Sequence, residues 1–347
     1  MMRLPEFQYR GARSLDEATA LLAAAPADTM LVAGGTDVLP NMKRRQQVPK
    51  ILVGLRGVSE LRRIRQADGP GGLVLGGGLT LTALVHHADV RGRYAGLWQA
   101  AAQVATPHLR NMGTLGGNLC LDTRCTYYDQ SHEWRKAINF CMKKDGDICW
   151  VATSSPRCLA VSSTDTAPAL MALGAQVRLV SAATGSRIVD LDALYNNDGI
   201  AYLTRRPDEV LADVTLPASD GWRSTYWKLR RRGSFDFPVL SVAAAARFDG
   251  DRVAEARIVL GAVASRPMPA PAAAAALVGR RLDDEAIAEA ADLAFGVAKP
   301  MDNTDFTLVW RKRVSRAFVT YALRELRGDD MRECRQRIAR QTLEQVA

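Results

Sequence analysis

Apolar residues along this chain recur at two spacings, one suited to short buried strands and one to helices. Ser14 with Glu17 three residues on is a capping-box signature, so a helix is predicted over 14–25. Apolar runs at 30–32 and 51–55 read as strands, with a short helical stretch past Pro40 and Ser59 capping the next helix. A run at 73–75 is a further strand. Helices follow from Leu81 and over 94–105, the second stopped by Pro107. Strands alternating with helices at these lengths indicate an α/β layer. Beyond Asp165 the pattern predicts a helix over 168–174 and strands over 176–180, 186–189 and 210–216. Strands at 224–228, 240–248 and 253–264 come next, the last two joined by Asp249-Gly250, a hairpin signal. Helices over 282–298 and 307–326 close the chain, and Asp283, Asp284 and Glu285 suit the positive N-terminal end of the first. Segment 267–276, rich in Ala and Pro, reads as a connection, and there are no internal repeats. The expected class is α+β: an α/β subdomain over 1–57, a second over 58–220, and a C-terminal α+β domain over 221–347.

Between about 119 and 164 this periodicity fades, and Cys, Asp, Lys, Arg, Tyr and Trp crowd in. So long an unpatterned stretch inside a compact domain is functional or disordered, and its cysteines and aromatics argue for function. Five of the six cysteines lie between Cys120 and Cys158, with Cys334 alone near the end. No run reaches the roughly 18 apolar residues of a membrane span, and the N-terminus lacks an apolar signal region, so a cytoplasmic setting is expected. Clustered cysteines there are metal ligands or catalytic thiols more often than disulfides. Net charge is +9, with tight basic clusters at Lys43-Arg44-Arg45 and Arg230-Arg231-Arg232. With aromatics at 6%, a nucleic-acid stacking surface is disfavoured, which leaves a solvated basic face, an anionic ligand or an acidic partner.

Three glycine-rich turns carry candidate chemistry: 33–37, 76–80 and 113–118. A strand running into Gly-Gly presents free backbone amides around a concavity where phosphates bind. The G-x-G-x-x-G dinucleotide fingerprint is absent. One such turn is often only a tight corner, where glycine supplies backbone freedom. Three in one half of the chain suit a ligand with several polar sections, such as a dinucleotide.

The stretch from Leu31 to Pro40, containing Val32, Ala33, Gly34, Gly35, Thr36 and Asp37, resembles the first flavin loop of the FAD subunits of the xanthine dehydrogenase and carbon monoxide dehydrogenase family. Residues 109–118, with Thr114, Gly116, Gly117 and Asn118, look like its second loop, and residues 163–175 are similar to its third element. Lys228, Arg232, Asp236 and Phe237 fit the start of its C-terminal domain. The resemblance covers essentially the whole chain. It implies an FAD between two N-terminal subdomains (a PCMH-type fold), with the glycine loops and Thr80 at the pyrophosphate and ribityl section. Asp165 would accept a hydrogen bond from a ligand hydroxyl, and Lys228 would lie near the flavin end. The alternative for Asp165 is a helix N-cap. No catalytic residue is expected here, because substrate chemistry would sit on a large molybdenum-cofactor subunit. A small subunit with two [2Fe–2S] clusters would link it to the flavin, in a dimer of heterotrimers served by an external electron carrier.

In most of that family a short loop joins the second and third elements, whereas 46 residues separate Asn118 from Asp165 here. This departure resembles the flavin subunit of 4-hydroxybenzoyl-CoA reductase, whose inserted loop holds a [4Fe–4S] cluster. The resemblance implies Cys125, Cys141, Cys149 and Cys158 as ligands, with Cys120 packed beside the flavin loop and Cys334 an ordinary thiol. Thiolate tetrads also suit zinc, although no C-x2-C pair is present, and a loop serving only as a docking platform stays open. Lys143, Lys144 and Arg157 are candidates to offset the cluster's negative charge or plain surface cations. The four histidines read as structural or surface residues, His132 being an outside candidate near the cluster.

Overall fold

The computed structural model describes residues 3–68, 71–233 and 235–340. Three sheets organise it. The first contains β1 (Gln8–Gly11), β2 (Thr29–Val32) and β3 (Ile51–Gly54), ordered β1-β3-β2 and wholly parallel. Parallel neighbours need a crossover, and the helix Leu15–Ala24 supplies the one from β1 to β2. The Ser14 hydroxyl accepts from the Glu17 amide at 3.1 Å. The Glu17 carboxylate accepts from the Arg13 amide at 2.8 Å, so the expected box closes one residue early.

The second sheet takes β4 (Ile64–Gln66), β5 (Leu73–Gly76), β6 (Gln176–Ser181), β7 (Gly185–Asp190) and β8 (Val210–Leu216), in the antiparallel order β4-β5-β8-β6-β7. Helices Ala95–Ala102 and Thr166–Ala172 pack on it around Leu73, Leu75, Leu97, Leu170, Val177 and Val214. The C-terminal sheet holds β9 (Trp222–Leu229), β10 (Leu240–Asp249), β11 (Arg252–Gly261) and β12 (Met268–Pro269), ordered β12-β11-β10-β9. Asp249-Gly250 makes the expected hairpin, Gly250 taking φ +60°, with a register shift at Arg247/Phe248. Side chains alternate along β10. Val242, Ala244 and Ala246 join the core under helices Asp284–Val297 and Leu308–Arg327, while Ala243 and Ala245 join the core of the second sheet.

Some elements differ from the sequence pattern. Pro107 opens a helix, Pro107–Arg110, because Thr106 caps it and proline at the first helical position loses no hydrogen bond. Ser59 lies inside a 3-10 turn whose cap position is Val58. The inserted segment carries one short helix, His132–Ala137, capped by the Ser131 hydroxyl. No helix among the described residues is long and apolar enough to cross a membrane.

Candidate functional site

The loop after β2 and the loop before the helix Leu115–Leu119 meet at Gly34 and Met112, and both line a cavity of about 670 Å³. That falls within the roughly 300–1,000 Å³ usual for ligand pockets. Ala33, Gly34, Gly35, Thr36 and Asp37 line it from the first loop, Thr114, Gly116, Gly117 and Asn118 from the second, and Asp165 lines it too. Val32, Thr80 and Lys228 lie outside the lining. Thr80 instead braces the second loop, forming a backbone bridge with Thr114 and capping the next helix through the Ala83 amide at 3.1 Å.

The glycines act on backbone contacts inside the protein. A Cβ on Gly34 would collide with the Met112 carbonyl, and one on Gly116 would stand 2.8 Å from the Gly77 carbonyl oxygen. Gly35 has φ +72°, which turns the chain back. Among the described residues no acceptor takes the amides of Gly34, Gly35, Thr36 or Asp37, so this loop offers several free donors to the cavity. The Ser163 hydroxyl also lines it, buried and unpartnered among the described residues. Such a donor-rich cavity fits a phosphate-bearing ligand such as FAD.

Asp165 is not the N-cap by side chain. The Thr164 hydroxyl accepts from the Ala167 amide at 3.3 Å, and Asp165 makes no capping bond. Its carboxylate accepts from the Tyr226 hydroxyl at 2.6 Å and from Lys228 Nζ at 3.0 Å, and that ammonium also reaches the Gln103 carbonyl at 3.0 Å. Burial pushes the carboxyl up and the ammonium down, and their attraction opposes both shifts. Asn118 Oδ1 accepts from the Thr164 and Thr166 hydroxyls at 2.8 and 2.6 Å, tying the second loop to the segment after the insertion.

The inserted segment packs a small buried cluster of its own. Cys125, Cys141 and Cys158 cluster with Tyr128 and Ala160, flanked by Trp150 and Met142, and Cys149 is buried beside Cys158. All four are free thiols. Burial and neighbouring thiols push Cys125 up to about 12 and Cys158 up to about 11, against backbone amides that favour the thiolates. Four cysteines in one inserted segment are the donor type that a thiolate-bound metal centre takes. Among the described residues, no three His, Cys, Asp or Glu side chains stand close enough for a single metal ion. Turns with positive φ at Asn139, Phe140 and Asp145 bracket Cys141. Asn303 clamps the segment, accepting from the Thr126 amide at 2.9 Å and donating to the Leu159 carbonyl at 2.6 Å.

Arg124 joins the two sites. Its guanidinium pairs with Asp37 of the cavity and, at 3.3 Å, with Asp129, whose carboxylate accepts from the Cys125 amide at 3.2 Å. Lys143 is no surface residue. Its side chain is buried, whereas Lys144 pairs with Asp145 at the surface. Cys120 lines the cavity, and Cys334 packs in the C-terminal core. His132 pairs with Glu133 and packs edge-on against Phe140. Nothing in the sequence marks Arg124 or Asp122 as members of buried ion pairs, the first with Asp37 and Asp129 and the second with Lys143.

Residues 5–219 match the family described as the FAD binding domain in molybdopterin dehydrogenase, and residues 224–326 match the CO dehydrogenase flavoprotein C-terminal domain. The chain belongs to this family of FAD-binding medium subunits, which includes those of xanthine dehydrogenase and CO dehydrogenase, and is an oxidoreductase subunit. It is 32% identical over 315 residues to the aldehyde oxidoreductase FAD-binding subunit PaoB of Escherichia coli K12, covering 88% of this chain and 95% of that protein. It is 27% identical to the carbon monoxide dehydrogenase medium chain of Hydrogenophaga pseudoflava over 86% of this chain and 89% of the other. Its fold superposes on a structure of carbon monoxide dehydrogenase from the same organism with a TM-score of 0.76 at 27% identity, over 93% and 97% of the two chains. Quinoline 2-oxidoreductase from Pseudomonas putida 86 gives 0.75 at 27% identity, over 94% and 98%.

Proposed function

We propose that this chain relays electrons between an FAD in the cavity and a [4Fe–4S] cluster held by the cysteines of the inserted segment. The free amides of 34–37, with Thr114, Gly116, Gly117 and Asn118, would hold the pyrophosphate and ribityl section, and Asp165 a ligand hydroxyl. Cys125, Cys141, Cys149 and Cys158 would ligate the cluster. The observation that carries this reading is four buried free thiols in the inserted segment, three of them in one packed cluster, linked to the flavin cavity through Arg124. The length of the insertion and its resemblance to the reductase branch support it. Flavin supplies two-electron chemistry and a cluster one-electron steps; the protein's share is binding, orientation and tuning. Partners of this reading are a large molybdenum-cofactor subunit, a small subunit with two [2Fe–2S] clusters and an external carrier, assembled as a dimer of heterotrimers. Substrate chemistry falls to the large subunit.

The test is the iron, zinc and flavin content of the anaerobically purified chain. Four irons per FAD, lost in Cys141→Ser and kept in Cys334→Ser, are expected. One zinc, or no metal with FAD retained, would leave a flavin subunit with a structural or docking loop.

A further inference from the structure

A buried ion pair lies between the flavin cavity and the cysteine cluster. Lys143 Nζ donates to Asp122 Oδ1 at 2.7 Å, Thr123 Oγ1 at 2.6 Å and the Gly199 carbonyl at 2.6 Å. Only 6% of either charged side chain is exposed. Three acceptors use all three ammonium protons, so the charge is fixed in place. The Tyr128 and Tyr202 rings flank it, 4.8 and 5.4 Å from Nζ. The other Asp122 oxygen accepts from the Tyr128 hydroxyl at 3.1 Å and Gln47 Nε2 at 3.2 Å.

This pair has a direction. Asp122 and Tyr202 line the flavin cavity. Tyr128 belongs to the thiol cluster, and Gly199 abuts it so closely that a Cβ there would lie 2.7 Å from the Cys158 sulfur. The ammonium is therefore tied to Gly199 beside the Cys158 sulfur, while the carboxylate lines the flavin cavity. Little solvent reaches such a dipole, so salt screens it weakly. Keeping an ion pair in the interior is expensive, and a hydrophobic substitute of similar volume often serves stability as well. That leaves its field as the property to explain.

We infer that Lys143 is a potential-setting residue: with Asp122 it raises the reduction potential of the centre held by the four cysteines and lowers that of the flavin. This rests on the cluster assignment above. A nearby positive charge favours the more negative, reduced form of a cluster, and cluster potentials follow such surroundings over hundreds of millivolts.

Anaerobic redox titration of the full chain tests it, the cluster followed by electron paramagnetic resonance and the flavin by absorbance. Lys143→Gln should lower the cluster midpoint by about 59 mV, a tenfold change in its one-electron equilibrium. Asp122→Asn should instead raise the flavin midpoint, and Lys143→Arg should stay near the wild type. Loosened packing would not produce shifts of opposite sign that follow the charge. Midpoints unmoved in iron-bearing variants, or displaced in the same direction by both charge removals, would overturn this inference alone. Should Lys143→Gln fail to retain iron, Lys143→Arg and Asp122→Asn decide the matter by the same criteria. A wild-type chain without iron would overturn the cluster assignment and this inference with it.

Discussion

Replacing Lys228 by methionine would strand the Asp165 carboxylate inside the protein. The side chains are 0% and 3% exposed, so neither charge can turn to water. The Tyr226 hydroxyl would remain as a partner, but the opposite charge would be gone. Breaking a buried pair from one side costs about 3–5 kcal/mol. Taking about 2 °C per kcal/mol, the low end for domains somewhat smaller than this chain, the melting temperature should fall by roughly 6–10 °C. Thermal unfolding by near-ultraviolet circular dichroism, on protein stripped of flavin, isolates this from ligand loss. In the variant, Asp165 would bind its proton more tightly folded than unfolded. The penalty should therefore be smallest below the ordinary carboxylate range and grow as pH rises through it. Adding Asp165→Asn to Lys228→Met should recover most of the loss, because no charge is then buried alone. A single variant melting within about 1 °C of the wild type, or a double variant no better than the single one, would refute this account of the pair.

Gly34→Ala should depress flavin occupancy in the purified chain while leaving far-ultraviolet circular dichroism unchanged, because a Cβ meets the Met112 carbonyl between the two loops. An overpacking cost of about 1–3 kcal/mol is expected, and full occupancy would contradict it. Tyr226→Phe should cost about 1.5–3 kcal/mol in denaturant unfolding, the value of a hydrogen bond to a charged group. Arg311→Met should hasten alkylation of the inserted segment's thiols in metal-free protein. Arg311 is fully buried, donates to the Val239 and Met301 carbonyls at 2.9 Å each, and holds the stretch from which Asn303 clamps the inserted segment. Unchanged labelling kinetics would show that the clamp does not depend on it.

Elements with a strong apolar pattern or a clear cap could be read directly from the sequence. β8 spans the expected 210–216, and the helices Asp284–Val297 and Leu308–Arg327 start at Asp283 and Thr307 caps. β1 leaves no alternation to see in the sequence, because all four of its residues are exposed. The helix Arg332–Arg340 has few apolar residues to mark it, only Cys334 and Ile338 packing partly buried against the C-terminal core. The glycine loops and the cysteines are visible as motifs; the loops line the cavity, and Cys125, Cys141 and Cys158 share one buried cluster. Burial of charge was not visible. Nothing in the sequence separates Lys143, enclosed by two tyrosines and three oxygen acceptors, from Lys144 at the surface beside it. Nor does it announce that a carboxylate at a helix start will turn inward to a tyrosine and a lysine from a strand some sixty residues away.

The alternation along β10 has a consequence for how such a subunit can change over time. Its alanines face two cores in turn, Ala243 and Ala245 the core of the second sheet and Ala244 and Ala246 the core under the C-terminal helices. A larger residue on one face presses on the flavin-bearing half, and on the other face on the C-terminal helices. Neither half could therefore be traded for that of a distant relative without refitting this strand. Recombination within the lineage should preserve the two halves as one inherited block, even though each is recognisable by itself.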